Sequence, residues 1–282
     1  MAVIVILKSG QTFADSPVTF DVLTTIDYPG AVHTGAGGIN DRGEVTGWAL
    51  NDQVMRGYVR FANGEFSALF AEPNAVNGET WPFGINNART ICGWYPSSSG
   101  DRGFVLSDSI FTDVIIDASY THVSGINDAG NLCGLIDYET QSFVRIDGTV
   151  TVFSVPGAAY TEAFGINNLN QVVGSYATTE GVFGFRRDVD GTLTYPIGAP
   201  TAQYTYLIGI NDNGQMVGRA TDQRGRNHGI FFASPRLSAL YDYPGASDIW
   251  FEGINNRGQI CGYYFDSVNH GLILRVRPTI GQ

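Results

Sequence analysis

The sequence predicts an all-β protein, folded as a single six-bladed β-propeller with four antiparallel strands in each blade. The segment Gly-Ile-Asn-(Asp/Asn) occurs six times, at intervals of 40 to 46 residues. Repeats of this length made of short strands are typical of propeller blades. No stretch has the 3.6-residue apolar periodicity of an amphipathic helix, so we expect almost no helix. The copies begin at Gly38, Gly84, Gly125, Gly165, Gly209 and Gly253.

Each repeat is predicted to contain four strands. Asn or Asp at the first two positions of the turn between strands one and two caps the bend, and Gly or Asn at the fourth position tolerates a left-handed backbone. Arg89 occupies that fourth position in the second repeat, so we expect a different turn there. In the fourth repeat the predicted strands are residues 160–167, 171–177, 183–188 and 192–197.

Pro-Gly-Ala recurs between an outer strand and the next inner strand, at residues 29–31, 156–158 and 244–246, and predicts a type II turn. The last repeat has only three predicted strands, and residues 18–26 resemble the missing fourth. We therefore expect the N-terminal strand to join the last blade and close the ring, which leaves no exposed sheet edge.

The whole chain, 1–282, is predicted to be one propeller domain. Residues 2–7 form an apolar run that predicts an extra strand or a packed arm, with a disordered end as the alternative. The predicted divisions are an N-terminal arm at 1–17, the closing outer strand at 18–28, and blades one to six at 31–70, 76–117, 118–156, 157–198, 199–244 and 246–277.

Composition and charge restrict the partners. The net charge is −11, and charged residues make up only 15% of the chain, which argues against nucleic acid and anionic membranes. We expect a monomer that binds a small molecule. The run at 2–7 is too short to span a membrane and lacks the flanks of a signal peptide. We therefore expect a cytoplasmic location, with secretion as the alternative if a signal peptide has been removed.

The three cysteines occupy equivalent positions in different repeats. Cys92, Cys133 and Cys261 are therefore too far apart for disulfide geometry and are expected to be small buried apolar residues. Nothing in the sequence indicates a metal or an organic cofactor.

Three segments resemble the HAF-type bacterial repeat. They are residues 228–231 (His-Gly-Ile-Phe), 242–246 (Asp-Tyr-Pro-Gly-Ala) and 253–259 (Gly-Ile-Asn-Asn-Arg-Gly-Gln). The resemblance covers about residues 18–276. It implies the repeat architecture and says little about chemistry, because the family is largely uncharacterised; its members are often exported.

The copies differ most in the first strand, which lines the channel of a propeller with alternate residues. Two and four positions before the Gly of Gly-Ile-Asn, the residues are mostly apolar or uniform, as packed positions should be. One, three and five positions before it, aromatic and ionisable residues differ from copy to copy. This variation indicates a ligand pocket with aromatic walls, although aromatic residues also fill such channels as simple packing.

The Ile of each Gly-Ile-Asn segment shares the parity of the variable positions. Either the isoleucines form an apolar floor, which we favour, or the Gly marks a bulge that switches the faces.

Three residues at the third position before the Gly lie on consecutive repeats and suggest proton transfer. Glu162 and His122 are the predicted acid–base pair, and Tyr206 is the predicted hydrogen-bond donor. Trp81 and Trp250 are predicted to stack on a planar or cationic substrate. The predicted substrate-binding residues are Trp81, Trp250, Phe83, Phe164, Tyr120, Tyr160, Tyr204, Glu79, Asp248, Glu252 and His33.

These residues favour a cofactor-independent acid–base enzyme of the cyclase, lyase or isomerase type. It would act on a small organic molecule in an aromatic-lined pocket at the mouth of the channel. The alternative is a non-catalytic carbohydrate- or peptide-binding propeller module. Lectin-like propellers repeat their binding residues in every blade, whereas these columns vary, so the sequence favours one asymmetric axial site.

Overall fold

The computed structural model describes residues 4–6, 18–116 and 119–278, which form an all-β protein. The helical segments in these ranges are two three-residue 3₁₀ turns, Val76–Gly78 and Asp137–Glu139. No helix in them is long and apolar enough to cross a membrane. The strands are β1 (Ile4–Ile6), β2 (Val18–Ile26), β3 (His33–Ile39), β4 (Val45–Asn51), β5 (Val54–Arg60), β6 (Trp81–Ile85), β7 (Ile91–Ser97), β8 (Gly100–Ser107), β9 (Ile110–Val114), β10 (Thr121–Ile126), β11 (Leu132–Ile136), β12 (Gln141–Ile146), β13 (Thr149–Phe153), β14 (Tyr160–Ile166), β15 (Val172–Thr178), β16 (Gly181–Arg187), β17 (Leu193–Ile197), β18 (Tyr204–Ile210), β19 (Met216–Thr221), β20 (Asn227–Ser234), β21 (Leu237–Tyr241), β22 (Asp248–Ile254), β23 (Gln259–Phe265) and β24 (Asn269–Pro278).

The strands form a propeller-like arrangement of antiparallel sheets, but not the six separate four-stranded sheets that the sequence predicts. Four sheets are small: β3-β4-β5, β6-β7-β8-β9, β10-β11-β12-β13 and β2-β24-β23-β22. The fifth has nine strands, because β14 to β17 and β18 to β21 are joined by one parallel bridge, Val182 to Tyr204, and β1 is added at its edge.

The first repeat lacks a fourth strand, which corrects the expectation of four strands in every blade. Residues 66–70 make two isolated bridges, Gly57 with Phe70 and Arg60 with Phe66. Between them, the Ser67 hydroxyl accepts the hydrogen bond of the Val59 amide. A serine side chain that takes a backbone donor in this way interrupts the regular ladder.

The N-terminal residues pair with two of the sheets. β2 runs antiparallel to β24, from Val18 opposite Pro278 to Ile26 opposite Gly271. Its Phe20 ring packs against Tyr241, with ring centroids 5.1 Å apart. β1 pairs with β21, so the extra strand predicted in the apolar run is present at Ile4–Ile6. The rest of the predicted arm, residues 1–3 and 7–17, lies outside the described residues.

The first strand of every repeat has the predicted packed positions. All twelve residues two and four positions before the Gly are buried, from Ala36 and Thr34 in the first repeat to Phe251 and Ile249 in the sixth. A register shift follows immediately in each copy, as between Ala36 and Gly38. The bulge therefore lies at the variable residue directly before the Gly.

The Gly of Gly-Ile-Asn is required by the neighbouring repeat. A Cβ added at Gly38 would lie 2.3 Å from the Phe83 carbonyl oxygen, and one at Gly165 would lie 2.5 Å from that of Ile208. At these two positions the neighbouring inner strand lies too close for a side chain to fit.

The turn after Gly-Ile-Asn is the same in all six copies. The Asn40 Oδ1 accepts the amides of Arg42 and Glu44, and equivalent bonds recur in each repeat. Arg89 adopts a φ of 63° like the glycines at this position, and its amide donates to the Asn86 carbonyl. The expectation of a different turn at Arg89 is therefore wrong. Its guanidinium binds the Glu44 carboxylate at 2.7 Å, which offsets the strained backbone.

The Pro-Gly-Ala turns are type II, as predicted. Gly30 has a φ of 81°, and the Ala31 amide donates to the Tyr28 carbonyl at 3.0 Å. The other two copies have the same conformation and hydrogen bond.

A circle of asparagines joins the six inner turns. The Nδ2 of each buried Asn donates to the backbone oxygen of the corresponding Asn in the next repeat, and Asn255 of the last repeat donates to Asn40 of the first at 2.9 Å. The circle therefore returns to its start. Its members are Asn40, Asn86, Asn127, Asn167, Asn211 and Asn255.

The next residue of each turn forms a second circle, in which aspartate and asparagine alternate. Each carboxylate accepts from the amide of the preceding repeat and from the side chains of both flanking asparagines; Asn168, for example, donates to Asp128 and Asp212 at 3.0 Å each. Because every carboxylate lies between two donors, like charges are never adjacent. The members are Asp41, Asn87, Asp128, Asn168, Asp212 and Asn256.

Candidate functional site

Six isoleucines divide the central axis into two small cavities. One, of about 70 Å³, is lined by the two polar circles. The other, of about 80 Å³, is lined by the glycines and the variable residues before them, among them Phe83, Phe164 and Glu252. The isoleucines line both, so the apolar floor that we favoured is present, and the bulge offered as the alternative lies directly above it. They are Ile39, Ile85, Ile126, Ile166, Ile210 and Ile254.

A larger cavity of about 310 Å³ lies beside the axis, on the side of the variable residues. It lies among the first, second and last repeats, and three of its lining residues are predicted site residues: Trp81, Phe83 and Glu252. The complete lining is Gly37, Trp48, Met55, Trp81, Pro82, Phe83, Glu252, Tyr263 and Asn269.

Aromatic side chains form a continuous arc across four repeats at this end. Successive rings have centroids between 4.0 and 6.1 Å apart, and Trp94 stacks almost parallel on His122. Aromatic contacts of this kind contribute stability beyond their buried area, so the rings form one connected wall. Its members in spatial order are Trp250, Tyr263, Trp48, Trp81, Trp94, His122, Tyr120 and Tyr138.

Gly35 leaves space for Trp48. It lies three positions before the Gly of Gly-Ile-Asn in the first repeat, and we call the six residues at this position the third-position column. A Cβ at Gly35 would lie 2.3 Å from the Trp48 ring. The indole therefore lies flat over the first strand and takes the place that a side chain fills in the other repeats.

Glu252 is the acidic group of the 310 Å³ cavity. The residue is half-buried, but the protein that surrounds its carboxyl raises its pKa to about 7, and the Arg219 charge opposes this only in part. No hydrogen bond reaches this carboxyl from the described residues. A carboxyl that titrates near neutral pH is able both to donate and to accept a proton.

Two buried donors accompany Glu252: Trp250 lies on the same strand, β22, and Arg219 lies on β19, which packs against β22. Arg219 Nε and Trp250 Nε1 have no hydrogen-bond partner among the described residues. The Arg219 guanidinium lies over the Tyr206 ring, 4.2 Å from its centroid. Buried donors without a partner are uncommon and mark positions where a ligand or water is able to bind.

His122 is buried, and both of its ring nitrogens face polar partners. Nε2 lies 2.8 Å from an Asp101 carboxylate oxygen, and Nδ1 lies 3.2 Å from the Tyr120 hydroxyl. The sequence did not predict Asp101. It orients the imidazole as a carboxylate does in proton-transfer sites.

The remaining predicted residues are distributed around the ring. Glu162, His122 and Tyr206 are not among the residues that line the 310 Å³ cavity, so this cavity does not contain the predicted acid–base pair. Tyr206 contacts Arg219, and Glu162 lies half-buried on β14 opposite Ser175.

The predicted residues five positions before the Gly mostly hydrogen-bond to neighbouring residues. Glu79 accepts the indole hydrogen bond of Trp81 at 2.7 Å, and His33 accepts the amide of Asn269. Asp248 accepts from the backbone and side chain of Asn227, and Tyr204 from the side chain of Gln203. Tyr160 is half-buried on β14. Glu79 and His33 thus hold residues of the cavity wall.

The sequence interpretation missed one set of equivalent residues near the cavity. In each repeat this residue follows the Gly that recurs in the second strand. This residue pairs across the sheet with the third-position residue, as Trp48 does with Gly35 and Tyr263 with Trp250. The available signal was the same copy-to-copy variation. The set is Trp48, Trp94, Leu135, Ser175, Arg219 and Tyr263.

Two histidines on third strands bind carboxylates on the outer side of the sheets. His228 lies 2.7 Å from Asp242, and His270 lies 2.6 Å from Asp27. Each aspartate directly precedes a Tyr-Pro-Gly-Ala segment, so the histidines anchor that turn. No group of three or more His, Cys, Asp or Glu in the described ranges is placed to hold a metal ion.

Comparison with known proteins shows the fold of this chain but not its family. No family model matches the chain, and no curated protein matches it. Several solved structures match over almost their whole length at low identity, which shows a shared β-propeller fold alone.

Three of these structures represent the matches. A catalytically inactive virginiamycin B lyase from Staphylococcus aureus with quinupristin is 12% identical, with a TM-score of 0.54, over 93% of this chain and 100% of that one. A putative gluconolactonase is 13% identical, with a TM-score of 0.53, over 98% and 96%. The PQQ-bound aldose sugar dehydrogenase from Streptomyces coelicolor is 12% identical, with a TM-score of 0.52, over 93% and 99%.

Proposed function

We propose that this protein is an acid–base enzyme of the lyase, cyclase or isomerase type that needs no cofactor and acts on a small organic molecule. Its substrate would bind in the 310 Å³ cavity, and Glu252 would transfer the proton. The observation that carries the proposal is a half-buried carboxyl, with a pKa of about 7, in an aromatic-walled cavity.

Several features of the cavity support this assignment. A group whose pKa lies near the working pH exchanges protons efficiently in both directions. Tyr263 lines the same cavity, and burial raises the pKa of its hydroxyl, which therefore stays protonated. The Glu162, His122 and Tyr206 set remains a second proposed proton-transfer group, supported by the clamp that Asp101 forms on His122.

The structural neighbours are consistent with an enzyme on this fold. They include a lyase and a putative lactonase, although identities near 12% carry no residue from those sites to this chain. The reaction type in our proposal therefore rests on the cavity.

We further propose that the six repeats form six blades and that β2 closes the ring by completing the last one. The six-membered asparagine circle and the pairing of β2 with β24 support this interpretation. We also propose a cytoplasmic monomer without affinity for nucleic acid or membranes. The net charge of −11 and the scarcity of basic residues support the absence of such partners.

Proton transfer without a named substrate is measurable by isotope uptake. Purified protein, without added metal or cofactor, is incubated with a metabolite extract in D₂O, and mass spectrometry follows compounds that change mass or disappear. Glu252→Gln should slow the change by about 10²–10⁴-fold, because a general acid–base group contributes this much. Glu180→Gln removes the same charge at an exposed site and should leave the rate unchanged.

Two results would count against the assignment. If Glu252→Gln retains the full rate, Glu252 is not the proton-transfer group. If compounds are retained by the protein but never converted or deuterated, the carbohydrate- or peptide-binding module is the better account.

A further inference from the structure

The lining of the 310 Å³ cavity combines aromatic faces with a single acidic group. Trp48, Trp81 and Tyr263 supply the rings, and Glu252 supplies the carboxyl. None of the lining residues is basic. The quadrupole of an aromatic ring places negative potential on its face, so the rings and the carboxyl both favour positive charge, while the Asn269 amide is neutral.

The rings are inclined as the walls of a box. Trp48 makes an angle of 54° with Trp81 and 73° with Tyr263, at centroid distances of 6.1 and 5.6 Å. Rings at steep angles form a corner that a rounded group enters, whereas a flat ligand requires parallel walls. Gly35 and the Trp81–Glu79 hydrogen bond hold two of these rings in place.

We propose that this cavity takes the cationic head of an alkylammonium compound, held against the faces of Trp48, Trp81 and Tyr263 with Glu252 as its counter-ion. The proposal deepens the proposed function, since it rests on the same site and names the substrate class. An ammonium carrying methyl groups fits best, because it is weakly hydrated and presents a rounded apolar surface to the rings.

The charge balance around Glu252 determines how binding depends on pH. Arg219 on β19 is the charged group that acts on this carboxyl, and the carboxylate in turn raises the pKa values of Tyr263 and Cys261 on β23, which stay neutral. Arg219 is outside the cavity lining and lies over Tyr206. A bound cation favours the ionised carboxylate, so binding should release a proton near pH 7 and tighten as the pH rises from 6 to 8.

A pair of isosteric probes tests the charge directly. Choline and its neutral carbon analogue 3,3-dimethylbutan-1-ol have nearly the same shape, and calorimetry measures both with the unmodified protein. We expect choline to bind at about one per chain and at least about tenfold more tightly than the alcohol. Repeating the titration in buffers of different ionisation enthalpy at pH 7 should show proton release.

Variants assign the effect to the cavity. Trp48→Ala and Glu252→Gln should each weaken choline binding about tenfold or more, whereas Tyr263→Phe keeps the ring and should retain it. Glu180→Gln again controls for net charge. If choline, tetramethylammonium and phenyltrimethylammonium bind no better than their neutral analogues, the proposal is wrong.

The two proposals fail separately. If deuterium uptake depends on Glu252 but the converted compound carries no cationic group, the enzyme assignment is supported and the proposal of an alkylammonium substrate is wrong. If choline binds as expected while Glu252→Gln leaves turnover unchanged, the cation class stands and the catalytic role of Glu252 falls.

Discussion

The two ends of the channel are built by the same short segment of each repeat, on either side of the isoleucine floor. At one end the asparagine circle and the alternating aspartate–asparagine circle are regular. Side chains of the first donate to backbone oxygens of the next repeat, and side chains of the second hydrogen-bond to one another. At the other end the residues vary among the repeats. There Glu252 is a half-buried acid with a raised pKa, and Arg219 and Trp250 have buried donors without a partner among the described residues. The comparison indicates that one end stabilises the ring, whereas the other, where we propose the site, contains groups that cost stability.

Breaking the uniform end should produce the largest loss of stability. Asn127 is buried, accepts the amides of Ala129 and Asn131, and donates to Asn167. Asn127→Ala leaves these groups unpaired, so we expect the free energy of unfolding to fall by about 2–4 kcal/mol. Thermal or urea unfolding measures it.

The exposed turn residue Asn213 provides the matched control for that loss. Asn213→Ala removes an asparagine side chain outside both circles and should change stability little. Equal losses in the two variants would remove the structural role of the circle. A folded fraction of Asn127→Ala that has lost choline binding would show that the two ends are not independent.

Replacing the ionisable group of the variable end should increase stability. The Glu252 pKa rises from 4.5 in the unfolded chain to about 7 in the folded protein. Below pH 4.5 this carboxyl is protonated in both states and does not reduce the free energy of unfolding. As the pH rises from there through 7, the free energy of unfolding falls, because ionisation is easier in the unfolded chain. Glu252→Gln removes this penalty, so it should stabilise the protein by about 1–3 kcal/mol at pH 8, relative to its effect at pH 4.

Denaturant unfolding of both proteins at the two pH values tests this. A Glu252→Gln variant that is less stable than the parent at pH 8 would mean that the carboxylate is paired favourably, and the idea of a destabilised site would be wrong.

A milder change tests the alternation in the second circle. Asn168→Asp places three carboxylates side by side, at positions 128, 168 and 212, and removes two donated hydrogen bonds. The loss should be about 1–2 kcal/mol, because the position is exposed and partly screened. The loss of unfolding free energy should be smaller in 1 M salt, and Asn213→Asp should lose less than Asn168→Asp. A loss independent of salt would point to geometry instead of charge repulsion.

Local signals in the sequence were sufficient for most of the framework. The spacing of Gly-Ile-Asn located the six repeats, Pro-Gly-Ala predicted type II turns, and alternation identified the buried residues of the first strand. Arg89 was misjudged, because a distant partner, Glu44, compensates its backbone strain. The four-stranded first blade was also wrong, because the Ser67 hydroxyl competes with the ladder.

By itself, the sequence determined the all-β repeat architecture and the variable columns from which a site is drawn, because period and parity are properties of the chain alone. It placed Glu252 among fourteen candidates without distinguishing it. Only the tertiary structure set the register that brings Trp48 and Tyr263 beside that carboxyl, and only packing between repeats raised its pKa. Desolvation arises from neighbours far apart in the chain, so no local pattern records it.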